Sequence, residues 1–265
     1  MPLIHDLLTI FRSRHLLWVL TMRELSARHA GTAAGWLWGY VQPLLTVAAY
    51  YLVFDVVFAL RLGEGAPTRQ VGAFLIVGAL PWMSFCDAIG RGANSLLDAG
   101  GILQKNPLPP VLFPTRAVLA TMLVHGPLIL LLAVAYWPMH QGAWPVLSLL
   151  PLWLMQALFC VLLAYLCAIF SAAVRDTVQI IGFLLSVGVF ISPVLFPVSQ
   201  FPEGWRWVLW LNPMTAWVEA YQLVLLKGEW PEASQWIAML VWMSGVGLLL
   251  DVVVRRSRDQ LVDWL

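Results

Sequence analysis

The sequence has few charged residues. Only 11% of its 265 residues are charged, 61% are hydrophobic, and the mean hydropathy is +0.81. A soluble domain of this length needs far more polar surface, so the chain is predicted to be a polytopic membrane protein. The net charge of +1 gives no basis for nucleic-acid binding.

Several motifs of enzymes are also absent. The only lysines are Lys105 and Lys227, and neither follows a glycine, which excludes a phosphate-binding loop of the GxxxxGK[ST] type. HExxH and GxSxG are missing as well, which excludes the usual zinc-protease site and hydrolase elbow. The three cysteines lie in apolar segments without CxxC spacing, so we expect small buried hydrophobes rather than a disulfide or metal ligands. The chain is therefore predicted not to be an enzyme and to hold no metal or cofactor of its own.

Long apolar stretches are abundant, and they predict an all-α integral membrane protein with six transmembrane helices. Ahead of them, apolar residues recur at steps of three and four over 3–29, with basic residues on the other side. This pattern favours an amphipathic helix in the membrane interface; an ordinary cytoplasmic extension is the alternative. Residues 1–265 would form a single transmembrane domain, with a six-span bundle over 36–254 and a cytoplasmic tail over 255–265. The spans are expected at about 36–60, 71–97, 118–137, 145–172, 178–196 and 236–254.

Basic residues are distributed unequally between the two sides of this bundle. Ten lie on the side of the chain ends and four on the other, so the positive-inside rule places both termini in the cytoplasm. The ten are Arg12, Arg14, Arg23, Arg28, Lys105, Arg116, Arg175, Arg255, Arg256 and Arg258, and the four are Arg61, Arg69, Arg206 and Lys227.

The stretch between the fifth and sixth spans is apolar and aromatic, yet prolines interrupt it. Because proline removes a backbone donor and breaks helices, we expect two short helices, 203–211 and 215–226, separated at Asn212–Pro213. Irregular backbone within a bilayer must be buried in protein or line a wet cavity. Residues 197–232 are therefore predicted to form a re-entrant outer hairpin beside a translocation path. A long interfacial loop with tryptophan anchors is the alternative.

The second span carries Asp87 and Arg91, one helical turn apart and therefore on one face. Either charge costs about 2.5–3.5 kcal/mol at the bilayer centre, so the pair should face protein or water. It could serve the substrate path or a subunit contact, or it could be a structural ion pair. His125, in the third span, is expected to be a hydrogen-bonded structural residue.

Several motifs, taken in order, resemble the membrane subunit of type-2 ATP-binding-cassette exporters of bacterial surface polysaccharides, such as O-antigen, capsular polysaccharide and teichoic acid. The resemblance covers about residues 20–230. Each motif is weak alone, and the ordered set is specific. The motifs are Arg23–Arg28 with Gly31–Trp38 and Gln42–Leu44; Gly78–Trp82; Lys105 with Pro107 and Phe113–Pro114; Phe170–Thr177; and Ser192–Pro193, Phe201–Pro202 and Leu211–Met214.

The resemblance implies a homodimer in the bacterial inner membrane, with two ATPase subunits that bind ATP and magnesium. The substrate would be a lipid-linked polysaccharide, and periplasmic and outer-membrane export proteins would be further partners. The resemblance also implies three groups of site residues; aromatic members of the path could equally be belt or packing residues. The groups are Gln104, Lys105, Asn106, Pro107, Arg175 and Asp176 for coupling to the ATPase; Trp36, Tyr40, Trp82, Phe85, Asp87 and Arg91 for the substrate path; and Trp205, Trp207, Trp210, Asn212 and Pro213 for the outer gate.

Other functions remain open at this stage. A drug or antibiotic exporter of the same superfamily is the nearest alternative. A proton-coupled carrier could use Asp55, Asp87 and His125, and a membrane-embedded enzyme on lipid-linked sugars would need convergent acids that the scattered carboxylates do not offer.

Overall fold

The computed structural model describes residues 2–28, 30–33, 35–63, 66–106, 108–140, 144–257, 260–261 and 263–264. These residues are mostly helical, and the only β pairing among them is an isolated antiparallel bridge between Arg61 and Gln70. The α-helices of the described residues are α1 (Pro2–Arg12), α2 (Arg14–Arg28), α3 (Trp38–Tyr50), α4 (Val71–Leu103), α5 (Leu112–Ala135), α6 (Leu149–Ala173), α7 (Thr177–Gly188), α8 (Thr215–Gln222) and α9 (Ala233–Ser257).

Five helical segments of the described chain are long and apolar enough to cross a membrane. Three of them begin and end within three residues of the predicted spans, whereas α4 continues past the expected end at 97 and α5 begins before the expected start at 118. The predicted connection 98–116 therefore shrinks to 104–111. The five segments are Gly35–Val57, Val71–Leu103, Leu112–Ala135, Trp144–Ala173 and Ala233–Ser257.

The expected fifth span is shorter than predicted. It begins as α7 and continues as a 3₁₀ turn to Ile191, so the helical segment ends before the predicted boundary at 196. Ser192 is extended, with φ −136° and ψ 146°. The ring of Pro193 disfavours helical geometry at the preceding residue, which explains why the helix stops there.

The two chain ends lie together at one end of the bundle. The backbone N–H of Leu3 donates to the Asp251 carboxylate near the end of α9, at 3.1 Å. The Tyr165 hydroxyl donates to Asp6 at 3.3 Å, so α6 also contacts α1. We call this end the terminal face and the opposite end the distal face. The interval 3–29 contains two helices, α1 and α2, which meet at Ser13; position 29 and tail positions 258, 259, 262 and 265 lie outside the described residues.

Helix α4 is the centre of the fold and packs most extensively against α5 and α6. In its most apolar window 83% of residues are buried, against 6% in the segment containing α3. At the α4–α6 crossing a Cβ built on Gly92 would lie 2.5 Å from the Cβ of Ala164, so only glycine permits this approach. The α3 segment is therefore attached to one edge of a tightly packed body.

The turn before α3 contains Gly31 and Gly35, and Gly39 follows in α3; the spacing of four residues among the three predicts a flat ridge that another helix can approach. Gly31 and Gly35 precede α3, so they do not form one helical ridge with Gly39. Both glycines have positive φ angles, 81° and 52°, and no described atom other than their chain neighbours lies within 4 Å of the place where a Cβ would stand. Their role is conformational, because left-handed backbone is open to glycine at little cost.

The interrupted stretch forms the two predicted short helices. A 3₁₀ helix covers Glu203–Leu211, and α8 continues through a π turn, Leu223–Lys227. Trp217 and Tyr221 of α8 are fully buried, and α8 packs against α4, α6 and α9. The second half of this stretch is therefore part of the packed core and is not an exposed loop.

Candidate functional site: two grooves beside the central helix

Asp87 and Arg91 form the ion pair that their spacing predicts, and a third residue joins them. Arg91 Nε donates to Asp87 Oδ1 at 2.6 Å. Arg28, at the end of α2, donates from Nη1 to Asp87 Oδ2 at 3.0 Å. Its Nη2 donates to the Ala117 carbonyl and to the Thr121 hydroxyl of α5, each at 3.0 Å. One buried guanidinium thus connects α2, α4 and α5.

Glu24 forms a second charged contact beside the cluster of Asp87, Arg91 and Arg28. Glu24 of α2 lies 3.8 Å from Arg28 and 3.6 Å from Arg116, near the start of α5. Burial lowers the pKa of the Arg28 guanidinium, while the neighbouring Asp87 carboxylate opposes that shift. Because α2 is bonded to α4 and α5 through both contacts, these three helices should behave as one unit.

A cavity of about 140 Å³ opens beside this cluster, between α2, α3, α4 and α5. Trp36, Arg91 and His125 are among its lining residues. The His125 Nδ1 lies 3.1 Å from the Thr121 carbonyl within its own helix, as expected for a structural histidine. Tyr40 stands edge-on to Trp36, with ring centroids 5.8 Å apart, and donates to the Leu123 carbonyl. Four of the six predicted path residues therefore meet in one place.

The other two predicted path residues line a different cavity, on the α7 side of α4. Trp82 and Phe85 are buried and face an apolar space of about 300 Å³ that Asn212 and Pro213 also line. Phe85 stacks on Phe159 at 6.3 Å. The predicted path is thus divided into two grooves by α4.

Asn212 fastens the predicted hairpin to α7. Its Nδ2 donates to the carbonyls of Gly188 and Ile191 at 3.0 and 3.3 Å, and its Oδ1 accepts from the Met214 N–H at 3.0 Å. A buried amide that satisfies three backbone groups fixes the angle at which the chain turns back.

The predicted gate tryptophans lie at the surface of this hairpin. Trp205 and Trp207 stack at 6.5 Å and are 62% and 59% exposed, and Trp210 is also exposed. Aromatic faces of this kind can contact sugars or lie at a lipid headgroup boundary.

The predicted coupling residues are exposed in two turns at the terminal face. Gln104, Lys105 and Asn106 follow the end of α4. Arg175 and Asp176 occupy the turn between α6 and α7. Pro107 lies outside the described residues. Each turn is available to a partner protein; the coupling role itself stays a prediction.

Sequence reasoning missed Arg28 and Thr121 as partners of Asp87. The pattern of α2 places Arg28 only on the polar side of an interfacial helix, and Thr121 is an ordinary residue of an apolar span. The available signal was the unequal count of charges: one carboxylate in the membrane with several arginines nearby in the predicted topology.

Comparisons with known proteins agree with this architecture. The family described as ABC-2 type transporter matches residues 15–226. The chain is 33% identical to the O-antigen export system permease protein RfbA of Myxococcus xanthus over 238 residues, which are 87% of each chain. A protein of the same name from Klebsiella pneumoniae is 23% identical, covering 90% of this chain and 88% of its own. The polysialic acid transport protein KpsM of Escherichia coli is 24% identical, covering 91% and 92%. The chain belongs to the ABC-2 type transporter family of membrane permeases.

Proposed function

We propose that this chain is the membrane subunit of an ATP-driven exporter that moves lipid-linked polysaccharide out of the cytoplasm across the bacterial inner membrane. The observation that carries the proposal is the nearly full-length similarity to permeases named for O-antigen export and polysialic acid transport. The family membership and the missing phosphate-binding loop support a division of labour, in which a separate ATPase subunit binds ATP and magnesium.

The working unit is a homodimer with two ATPase subunits. The poorly buried segment Gly35–Val57 supports this, because its apolar residues need either lipid or another protein as a neighbour. The α7 helix and the turn after it leave Phe183, Leu184 and Phe190 similarly uncovered. The groove of Trp82 and Phe85 then faces the space between the two copies, and we place the glycan path there.

Six crossings with cytoplasmic termini account best for the topology. The contact between Leu3 and Asp251 supports an even number of crossings, and we count the short segment Thr177–Ile191 as the sixth beside the five longer ones. The excess of basic residues on that side supports the cytoplasmic assignment. The hairpin around Asn212 then lies outside, as a re-entrant gate.

The exposed turns at the terminal face couple the ATPase subunits to movements of the permease. The turn of Lys105 directly continues α4, the most buried helix, so a displacement there moves the centre of the bundle. The turn of Arg175 connects α6 and α7 in the same way. A rigid helix carries such a displacement without needing a flexible relay.

The test replaces Gln104–Asn106 with Gly-Ser-Gly in cells that carry the partner ATPase. We expect normal amounts of the permease in the membrane, loss of surface polysaccharide and loss of coupled ATPase activity in the purified complex. The matched control replaces the exposed distal residues Arg61 and Arg69 with glycine, outside the predicted hairpin, and it should retain both activities. Unchanged export after the first replacement would refute the coupling role of this turn.

The same cells distinguish the alternatives. Deleting the permease should abolish surface polysaccharide and leave drug susceptibility unchanged, since the substrate is a glycan. Collapse of the proton gradient with ATP maintained should leave export intact. Drug hypersensitivity with normal surface polysaccharide would identify a drug exporter, and export that stops with the gradient would identify a proton-coupled carrier.

A further inference from the structure

The groove between α3, α4 and α5 has a polar end and an apolar end. The polar end is the cavity of Arg28, Asp87 and Arg91. Next to it lies an apolar cavity of about 410 Å³, and Pro43 lines both cavities. The lining of the apolar cavity includes Pro43, Val47, Ala48, Ile76, Leu128 and Tyr136.

Along all three helices, the polar cavity lies toward the same end of the bundle and the apolar cavity toward the other. On α3 and the residue after it, the polar cavity uses positions 39–43 and the apolar cavity 43–51. On α5 and the residue after it, the corresponding positions are 124–125 and 128–136. On α4, which runs the opposite way, the polar positions are 83–91 and the apolar ones 76 and 80. The two cavities therefore form one groove along the bundle, with its polar end toward the terminal face.

The polar end lies at the depth of lipid headgroups. Arg91 follows Val71, the distal start of α4, by twenty residues, which is about 30 Å of helix and matches the thickness of the hydrocarbon layer. Trp36, at the start of the first span, lines the same cavity, in the position typical of an interfacial aromatic residue.

The two arginines at this end use their hydrogen-bond donors unequally. Arg28 uses both terminal nitrogens on Asp87, Ala117 and Thr121, so these donors are occupied. Arg91 bonds Asp87 through Nε, and no described residue accepts a hydrogen bond from its terminal nitrogens. Among the described residues that line this cavity, two guanidinium groups face one carboxylate. The Arg91 side chain is 41% exposed. Glu24, Arg116 and the nearby Asp98 form the second charged contact, and they do not line the cavity.

We propose that this groove binds one anionic phospholipid of the surrounding membrane, with its phosphodiester on Arg91 and an acyl chain in the apolar cavity. A guanidinium matches a phosphate with two parallel hydrogen bonds. Basic pockets between transmembrane helices at this depth bind anionic headgroups. Arg91 is the one cation lining the described groove whose terminal nitrogens are left for a phosphate, which matches the single charge of a phosphodiester. A pyrophosphate-linked carrier would bring more negative charge to the same single guanidinium. The bound lipid would fill the space between the loosely attached α3 and the rigid pair α4 and α5. This site is separate from the proposed glycan path.

The test measures lipid binding to the full-length purified permease by native mass spectrometry and by titration into nanodiscs. The probes are phosphatidylglycerol and phosphatidylcholine with the same acyl chains. The wild-type protein should retain phosphatidylglycerol about tenfold more tightly than phosphatidylcholine. Arg91→Met should remove that preference, and Arg91→Lys should retain part of it, because lysine keeps the charge without the planar fork.

Two further variants distinguish binding of the lipid headgroup from binding of the acyl chain. Arg255→Met is the matched control, since Arg255 also pairs with an aspartate four residues earlier and is 52% exposed, yet lies outside the groove. It should bind as the wild type does. Ala48→Trp fills the apolar cavity and should weaken phosphatidylglycerol binding about tenfold with the Arg91 end intact.

Three results would overturn the proposal. The first is equal binding of the two lipids by the wild-type protein, a result that needs no variant to fold. The second is inorganic phosphate displacing phosphatidylglycerol completely, because the head alone would then suffice. The third is stoichiometric displacement by a polyprenyl pyrophosphate, which would assign the groove to a lipid carrier. None of these measurements uses ATP or glycan, so failure here leaves the proposed export function unaffected.

Discussion

Replacing Arg28 and Arg91 by the same residue should have very unequal effects, although both bond the same carboxylate. The Arg28 side chain is 5% exposed and makes three hydrogen bonds to α4 and α5. The Arg91 side chain is 41% exposed and makes one. We therefore expect Arg28→Met to lower the free energy of unfolding and Arg91→Met to change it little.

The magnitudes follow from burial. Removing one partner of a buried ion pair costs about 3–5 kcal/mol, and Asp87 keeps its second partner, so about 3 kcal/mol is expected for Arg28→Met. An exposed pair four residues apart on a helix contributes under about 1 kcal/mol, which bounds the loss for Arg91→Met. Replacing both Arg28 and Asp87 by apolar residues should recover part of the loss, because no buried charge is then left without its partner.

The assay is reversible unfolding in mixed dodecyl maltoside and dodecyl sulfate micelles, followed by far-ultraviolet circular dichroism. Membrane-inserted amounts of each variant serve as the control for expression. Equal losses for the two methionine variants would refute the reasoning, because burial would then not decide the contribution. A double variant of Arg28 and Asp87 that loses more than the sum of the single variants would contradict the pairing itself.

The close packing and buried amides give three further expectations, all measurable in the same micelle assay. Gly92→Ala should lower the free energy of unfolding by about 1–3 kcal/mol, because its Cβ would meet Ala164 at 2.5 Å. Gly90→Ala, with open space at its Cβ, should be neutral or stabilising by up to about 1 kcal/mol. Equal effects of the two variants would refute the close crossing. Asn212→Ala should cost about 2–4 kcal/mol, since three backbone partners lose an amide, and faster proteolysis of the outer hairpin should accompany it. Gln156→Met should lower the free energy of unfolding by about 1 kcal/mol or less. The variant loses one hydrogen bond, but it also removes a buried amide oxygen that has no described partner. A much larger loss would mean that this oxygen is satisfied in the membrane.

The sequence predicted most helix bounds, because these bounds depend on neighbouring residues. Most span bounds follow from the length of each apolar run, and the break at Asn212–Pro213 follows from the chemistry of proline. The shorter fifth segment was missed because apolar composition continues past Ile191, whereas the backbone already turns at Ser192. Hydropathy reports how well a residue suits lipid and does not report where a helix ends.

The sequence by itself determined that this chain is a helical membrane protein without a nucleotide-binding loop, since hydropathy and motif spacing are properties of neighbouring residues. Only the tertiary structure decided which distant groups meet. Arg28 reaches Asp87 across 59 positions of the chain, and α4 separates Trp36 from Trp82 into different grooves. The physical reason is that a charge in an apolar bundle must find a partner wherever packing brings one, and packing depends on the shapes of all the helices together.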